Sequence, residues 1–190
     1  MPKTAERAVA LLRGINVGGS NVIPMTALRA SFEGLGLHDV ATYIQSGNVL
    51  FTTDGEASTL AKLAPRIEST LSKQFGYRAT VVLRSRRQME RIVEQAPRRF
   101  GHDPAKYRYD VVFLKEPVSA DDVLPSIALR EGVDTAYAGE GVVYFSRLVE
   151  RAGQSYLSRI IALPQYKQMT IRNWNTTTKL LKLMVAEKGS

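Results

Sequence analysis

The sequence predicts an α+β protein made of two tandem ferredoxin-like (β-α-β-β-α-β) subdomains, each followed by an extra helix. Three observations carry the prediction. Short apolar runs bounded by glycine alternate with stretches whose apolar residues recur every three or four positions, the marks of strands and amphipathic helices. The order of these segments in the first half returns in the second, in units of about 85 to 90 residues. Two strand pairs meet through glycine-bearing turns, at Ser46-Gly47 and at Gly139-Glu140-Gly141, in corresponding places of the two halves.

In the first half, Ala8–Gly14 is a strand whose alternate residues, Ala8/Ala10/Leu12 and Val9/Leu11, are all apolar. Such a strand is buried on both faces, so the second face of each sheet is expected to be covered, by the other sheet or by a partner chain. Pro24 occupies a plausible first helical position, Met25, Leu28, Phe32 and Leu35 share one helix face, and Gly36 stands at its C-terminal cap. Residues 40–45 and 48–53 are strands. Leu60, Leu63, Ile67, Leu71 and Phe75 mark a second helix, which Pro65 is expected to kink or restart. A strand at 79–83 follows. Ser85 and Gln88 then form a capping box for a helix carrying Met89, Ile92, Val93 and Ala96, which Pro97 stops.

The second half repeats the plan: strand 109–114, a helix from Ser119 with Asp121 and Asp122 at its positive end, strands 133–138 and 142–147, a short helix 155–163, strand 169–172 and a closing helix 176–188. The division is 1–96 for the first subdomain, 97–107 for a linker and 108–190 for the second, packed as one globular unit. The linker holds Phe100 and Tyr107 and is suited to docking.

The 190 residues carry 26 Lys+Arg against 18 Asp+Glu, a net charge of +8. The excess is local. Residues 84–108 hold seven Arg and one Lys against three acids, whereas 109–165 hold five basic and eight acidic residues. A basic surface draws anionic partners, although no aromatic residues interleave with Arg84–Arg99 as a stacking platform requires. The chain has no cysteine, which excludes disulfides, thiol nucleophiles and zinc–thiolate sites. No apolar run has the length of a membrane span and no secretory leader is expected, so a cytoplasmic address is the default.

Three segments have residues suited to chemistry. Arg13-Gly-Ile-Asn16-Val-Gly18-Gly19-Ser-Asn21 is a glycine-rich loop ahead of a helix, either an anion cradle or a crossover loop whose Asn and Ser satisfy their own backbone. Ser20-Asn21 stand where a phosphate-binding P-loop needs Lys-Ser/Thr, so that reading is excluded. Gln45, Ser46 and Asn48 cluster at a hairpin tip. Arg172, Asn173, Trp174 and Lys179 gather at a helix start, where Arg172 and Lys179 grip an anion and Trp174 stacks on a base; alternatively Asn175 or Thr176 is a helix cap and Trp174 fills a seam. Two histidines distant in sequence give no metal set. No cofactor and no catalytic residue is assigned.

Leu11–Gly19, Pro24-Met25, Thr42–Val49 and Thr170–Thr176 with Lys179-Leu180 resemble the signatures of a widespread bacterial family of conserved hypothetical proteins carrying a domain of unknown function. The resemblance spans nearly the whole chain. It implies two α+β subdomains of related ferredoxin-like topology and no established activity. Thr177 departs from the pattern, where an apolar residue such as Val is expected.

The leading functional reading is binding of an anionic ligand, a nucleotide or nucleic acid, in a cleft between the subdomains, using Arg13, Asn16, Gly18, Gly19, Gln45, Ser46, Asn48, Arg172, Asn173, Trp174 and Lys179. The alternatives are a cofactor-independent enzyme acting on a phosphorylated or carboxylated small molecule, and an interaction protein with no small ligand. Arg172→Ala discriminates: it removes anion binding if the segment is a site, and mainly lowers stability if it is a turn and cap.

Overall fold

A computed structural model describes residues 5–16, 19, 21–54 and 58–186 of the chain. The chain divides into two compact units, residues 1–89 with 180–190, and residues 90–179. In the first unit β1 (Ala5–Leu12), α1 (Met25–Gly34), β2 (His38–Tyr43), β3 (Asn48–Asp54), α2 (Ser58–Phe75) and β4 (Val81–Ser85) follow in order; α3 (Arg86–Glu94) leaves β4 directly, and its residues from Glu90 on count with the second unit. The second unit holds β5 (Tyr107–Leu114), α4 (Ala120–Val123), β6 (Asp134–Gly139), β7 (Val142–Leu148) and β8 (Met169–Asn173); α5 (Trp174–Val185) follows β8, and its residues from Leu180 on count with the first unit.

Both sheets are antiparallel and four-stranded, ordered β2-β3-β1-β4 and β6-β7-β5-β8. That is one ferredoxin-like topology used twice, as the sequence predicts. The registers agree as well: Val9 of β1 faces Arg84 of β4, and Val111 of β5 faces Arg172 of β8.

Alternation along each strand divides the core. In the first unit Ala8, Ala10, Leu12, Val49, Phe51, Val81 and Leu83 pack against Leu28 and Phe32 of α1 and Leu60, Leu63, Ile67 and Leu71 of α2. The second unit sets Val112, Leu114, Val143 and Phe145 against Val123, Leu157 and Ile160. Burying one such side chain stabilises by about 1.5–3 kcal/mol. The opposite faces are apolar and buried too, with Val9, Leu11, Leu50 and Val82 in the first unit and Val111, Phe113, Val142 and Tyr144 in the second.

Several elements differ from expectation. Pro24 is the N-cap of α1, one residue earlier than expected. Gly36 does end that helix in a left-handed conformation, at φ +80°. Helix α2 runs through Pro65 without a restart. The proline removes the bond to the carbonyl of Ala61, but both residues are exposed, so water receives that carbonyl while the buried stripe holds the helix on either side.

The expected helix 155–163 is instead a series of 3-10 turns, Ala152–Gln154, Leu157–Ala162 and Pro164–Gln168. Leu157, Ile160 and Leu163 all pack on the core, and their spacing of three matches the 3-10 repeat better than 3.6. Helix α4 is a single turn, held by a capping box between Ser119 and Asp122; the Ser119 hydroxyl and N–H hold the Asp122 carboxyl below its ordinary pKa. The Ser85–Gln88 capping box is present, at 2.9 and 3.2 Å.

Candidate functional site

In the first unit the loop after β1 and the β2–β3 turn are locked together. Leu12 N–H donates to the Gly47 carbonyl at 2.8 Å. Asn16, left-handed at φ 53°, is the junction: its Nδ2 donates to the Ile23 and Gln45 carbonyls (3.2 and 3.0 Å), and its Oδ1 accepts from Ile23 N–H at 2.8 Å. Both donors and the acceptor of the amide are thereby used. Gly47 has φ +77°, and a Cβ there would stand 2.8 Å from the Ile15 side chain, so only glycine fits the close approach. Asn48 is fully buried and donates to Tyr43 O and Ser46 Oγ, both at 3.0 Å. Residues 12–16 and Gln45–Asn48 therefore meet, but with Asn16 and Asn48 turned inward as fasteners. Gly19 and Gln45 are exposed, Arg13 and Ser46 partly so, and Gly18 lies outside the described residues.

In the second unit Arg172 is 7% exposed. Its Nη1 donates to Thr170 Oγ1 at 2.7 Å and to the Ile171 carbonyl at 2.9 Å. Burial pushes the guanidinium down to about 10, still charged at neutral pH. Arg84 has the equivalent place in the first unit, also buried, with Nη1 on the Leu83 carbonyl at 2.8 Å. The helix that follows β8 is capped by Asn173, whose Oδ1 accepts from Thr176 N–H at 2.7 Å. The cap expected at Asn175 or Thr176 falls earlier because the last strand residue is itself an Asn. Thr177 is fully buried and returns its hydroxyl to the Asn173 carbonyl at 3.0 Å, which satisfies the polar group where an apolar one was expected. Lys179 is exposed.

Trp174 packs edge-on against Phe100, with ring centroids 5.1 Å apart at 89°. It also lies on Gly101, where a Cβ would come within 2.1 Å of the indole Nε1. Phe100 in turn meets Tyr109 at 4.9 Å and Tyr144 at 5.4 Å. The segment 97–106 is thus docked on the open end of the second sheet, and it forms one side of a groove there.

That groove has a volume of about 410 Å³, within the range of ligand sites. Its floor is Ser146 and Thr135, its walls are Tyr107, Tyr109 and Tyr137, and its rim carries Arg98, Arg99, His102 and Lys106. Register explains the arrangement. Tyr109 faces Ser146 and Ser146 faces Thr135 across three strands, so two small hydroxyl residues leave a trough between flanking rings. Tyr109 Oη accepts from Asp103 N–H at 3.3 Å, tying the rim to the sheet. Lys106 Nζ lies 5.4 Å from the centroid of the Tyr107 ring. Arg99 is held at φ 68°, a left-handed conformation that costs a non-glycine residue about 1–2 kcal/mol. Among the described residues, Arg98, Arg99 and Lys106 have no ion-pair partner.

None of these groove residues was among the candidates read from the sequence. The signal was there in two pieces: the basic pair Arg98-Arg99, and the alternation Tyr107-Arg108-Tyr109 that puts two rings on one sheet face. The aromatic residues missing beside the basic run come from the strands.

Among the described residues no group of three His, Cys, Asp or Glu side chains is placed to hold a metal, and no helix is long and apolar enough to cross a membrane. Fold and site together define a two-unit α+β protein with a basic, tyrosine-lined groove on its second sheet. Residues 5–144 match the family described as "Protein of unknown function (DUF1697)", and the chain belongs to that family. Its structure is similar to that of the conserved bacterial protein SP0830 from Streptococcus pneumoniae, with a TM-score of 0.80 and 28% sequence identity, over 95% of this chain and 99% of that one. No curated protein matches the chain.

Proposed function

We propose that this protein binds a phosphate-bearing ligand with a planar ring, the chemistry of a nucleotide, in the groove of the second unit. The observation that carries the reading is the meeting of rim cations that have no ion-pair partner among the described residues, Arg98, Arg99 and Lys106, with Tyr107 and Tyr137 across a hydroxyl floor. Guanidinium and ammonium groups take phosphate oxygens, tyrosine faces take a planar base, and Ser146 and Thr135 offer hydroxyls to a sugar between them. The role is binding and positioning.

The lone Trp174 reports on the site through Phe100, which separates it from Tyr109. Titration with adenosine and uridine monophosphates is expected to give a saturable change in Trp174 fluorescence, weakened in Tyr107→Ala and in Arg98→Ala. A flat response of the wild-type protein, or an unchanged affinity in both variants, contradicts the reading.

A further inference from the structure

Resting on the groove reading above, we propose that the natural occupant is single-stranded nucleic acid, laid across the second sheet from the Tyr107–Tyr109 pair to Tyr137. The distance between the two aromatic walls argues for it. Strands β5 and β6 are separated by β7, so their backbones lie about 10 Å apart. Tyr137 faces Tyr144, which lies beside Val111, four residues along from Tyr107 and hence about 13 Å further by strand rise. The backbone positions of Tyr137 and Tyr107 are thus separated by about 16 Å along the sheet, and those of Tyr137 and Tyr109, two residues nearer, by about 12 Å, whereas stacked rings approach to about 4.5–7 Å. One base engages one wall. A ligand that occupies both walls carries at least two rings, joined by a linker that suits the cations of the rim, and a phosphodiester strand has that form.

The two walls differ in a way that suits this use. Tyr107 and Tyr109 form a tilted pair with centroids 6.1 Å apart, and the Tyr109 hydroxyl is already engaged by Asp103. Tyr137 is 48% exposed, a free platform at the far end. Lys106 covers the Tyr107 ring and is displaced by a stacking base, which leaves its ammonium beside the adjoining phosphate. Asp103, the one acidic residue of the lining, accepts Lys106 N–H at 3.2 Å within its own turn. The floor presents only two hydroxyls, Ser146 and Thr135. Stacking on tyrosine is tolerant of base identity, so sequence preference is weak.

The test is a length series: uridine monophosphate, then oligouridylates and oligodeoxythymidylates as dinucleotide, tetranucleotide and octanucleotide, and a duplex of matched length. Competition against a fluorescently labelled octanucleotide gives the affinities. Affinity is expected to rise about tenfold from mononucleotide to tetranucleotide, with a log–log salt slope near −2 for three phosphate contacts. Tyr137→Ala is expected to remove that gain, about tenfold for the tetranucleotide, with Tyr137→Phe retaining it. Its exposure leaves folding intact, which a thermal melt verifies. Equal affinity for mononucleotide and octanucleotide overturns the single-strand proposal and leaves the groove reading standing. Tighter binding of the duplex overturns it as well, because paired bases cannot stack on the tyrosines. No response to any probe overturns both.

Discussion

Arg7 of β1 faces Thr52, and Thr52 faces His38. In the second unit the same row of the same topology reads Tyr109, Ser146, Thr135. The first row closes on itself: Arg7 Nη1 donates to the Asp39 carbonyl at 2.9 Å and to Thr52 Oγ1 at 3.3 Å, and His38 lies 3.8 Å from Asp54. The second row leaves its hydroxyls as the floor of a groove. One row further out, Ala5 beside Asp54 corresponds to Tyr107 beside Leu148. Backbone topology is shared, so the groove arises from side-chain choice at a few strand positions and from the docked 97–106 segment.

The largest expected effect comes from undocking that segment. Gly101→Ala puts a Cβ into the Trp174 indole at a φ of +83°, and overpacking with a left-handed alanine is expected to cost about 3 kcal/mol. Urea unfolding measures the loss, and nucleotide affinity is expected to fall with it. Next are the matched arginines. Arg84→Ala and Arg172→Ala each remove a buried, hydrogen-bonded cation, and each is expected to lower stability by about 2–3 kcal/mol. Similar losses at the two sites support their equivalence; a loss of ligand affinity at unchanged stability in Arg172→Ala breaks it.

Tyr137→Ala is expected to weaken oligonucleotide binding by about 1.4 kcal/mol, with under about 0.5 kcal/mol change in stability for so exposed a side chain. Arg7→Ala, in the closed row where Arg7 takes the place of Tyr109, is expected to cost about 1 kcal/mol of stability and to leave affinity unchanged by the same titration. The smallest effect is on pH dependence. Burial raises the Asp110 carboxyl above its ordinary pKa, more than Arg147 at 3.3 Å and Arg108 lower it. The folded state therefore holds that proton more tightly than the unfolded one. Its contribution to stability is present below the unfolded carboxylate pKa and is lost as pH rises through the raised folded value. Thermal midpoints across the acid range are expected to show this slope flattened in Asp110→Asn.

Much of the fold is legible in the sequence because strand and helix periods are local properties. Val9 and Leu11 announce a strand buried on both faces, Ser85 with Gln88 a helix start, and Gly36 a helix end. The 3-10 turns at 152–168 are less legible, since apolar residues three apart, such as Leu157 and Ile160, are also the i, i+3 neighbours of a short α-helix, and only a third, at Leu163, favours the spacing of three. The site is harder still. Asn16, Asn48 and Asn173 are polar residues in glycine-rich or turn segments, and the sequence does not reveal that their amides face backbone carbonyls and N–H groups of the same unit. The groove needs Tyr109, Ser146 and Thr135 in one row, and that row exists only once β5, β7 and β6 are in register. It spans residues distant in sequence.

The most direct test of the central claim is to map ligand binding residue by residue on isotope-labelled protein, by following amide NMR signals during titration with an oligouridylate tetranucleotide. Saturable shifts confined to 97–109, 135–137 and 146, with Arg7, His38 and Thr52 unmoved, are the predicted result. Shifts centred on the Arg7–Thr52–His38 row, or no shifts in either row, would contradict the account.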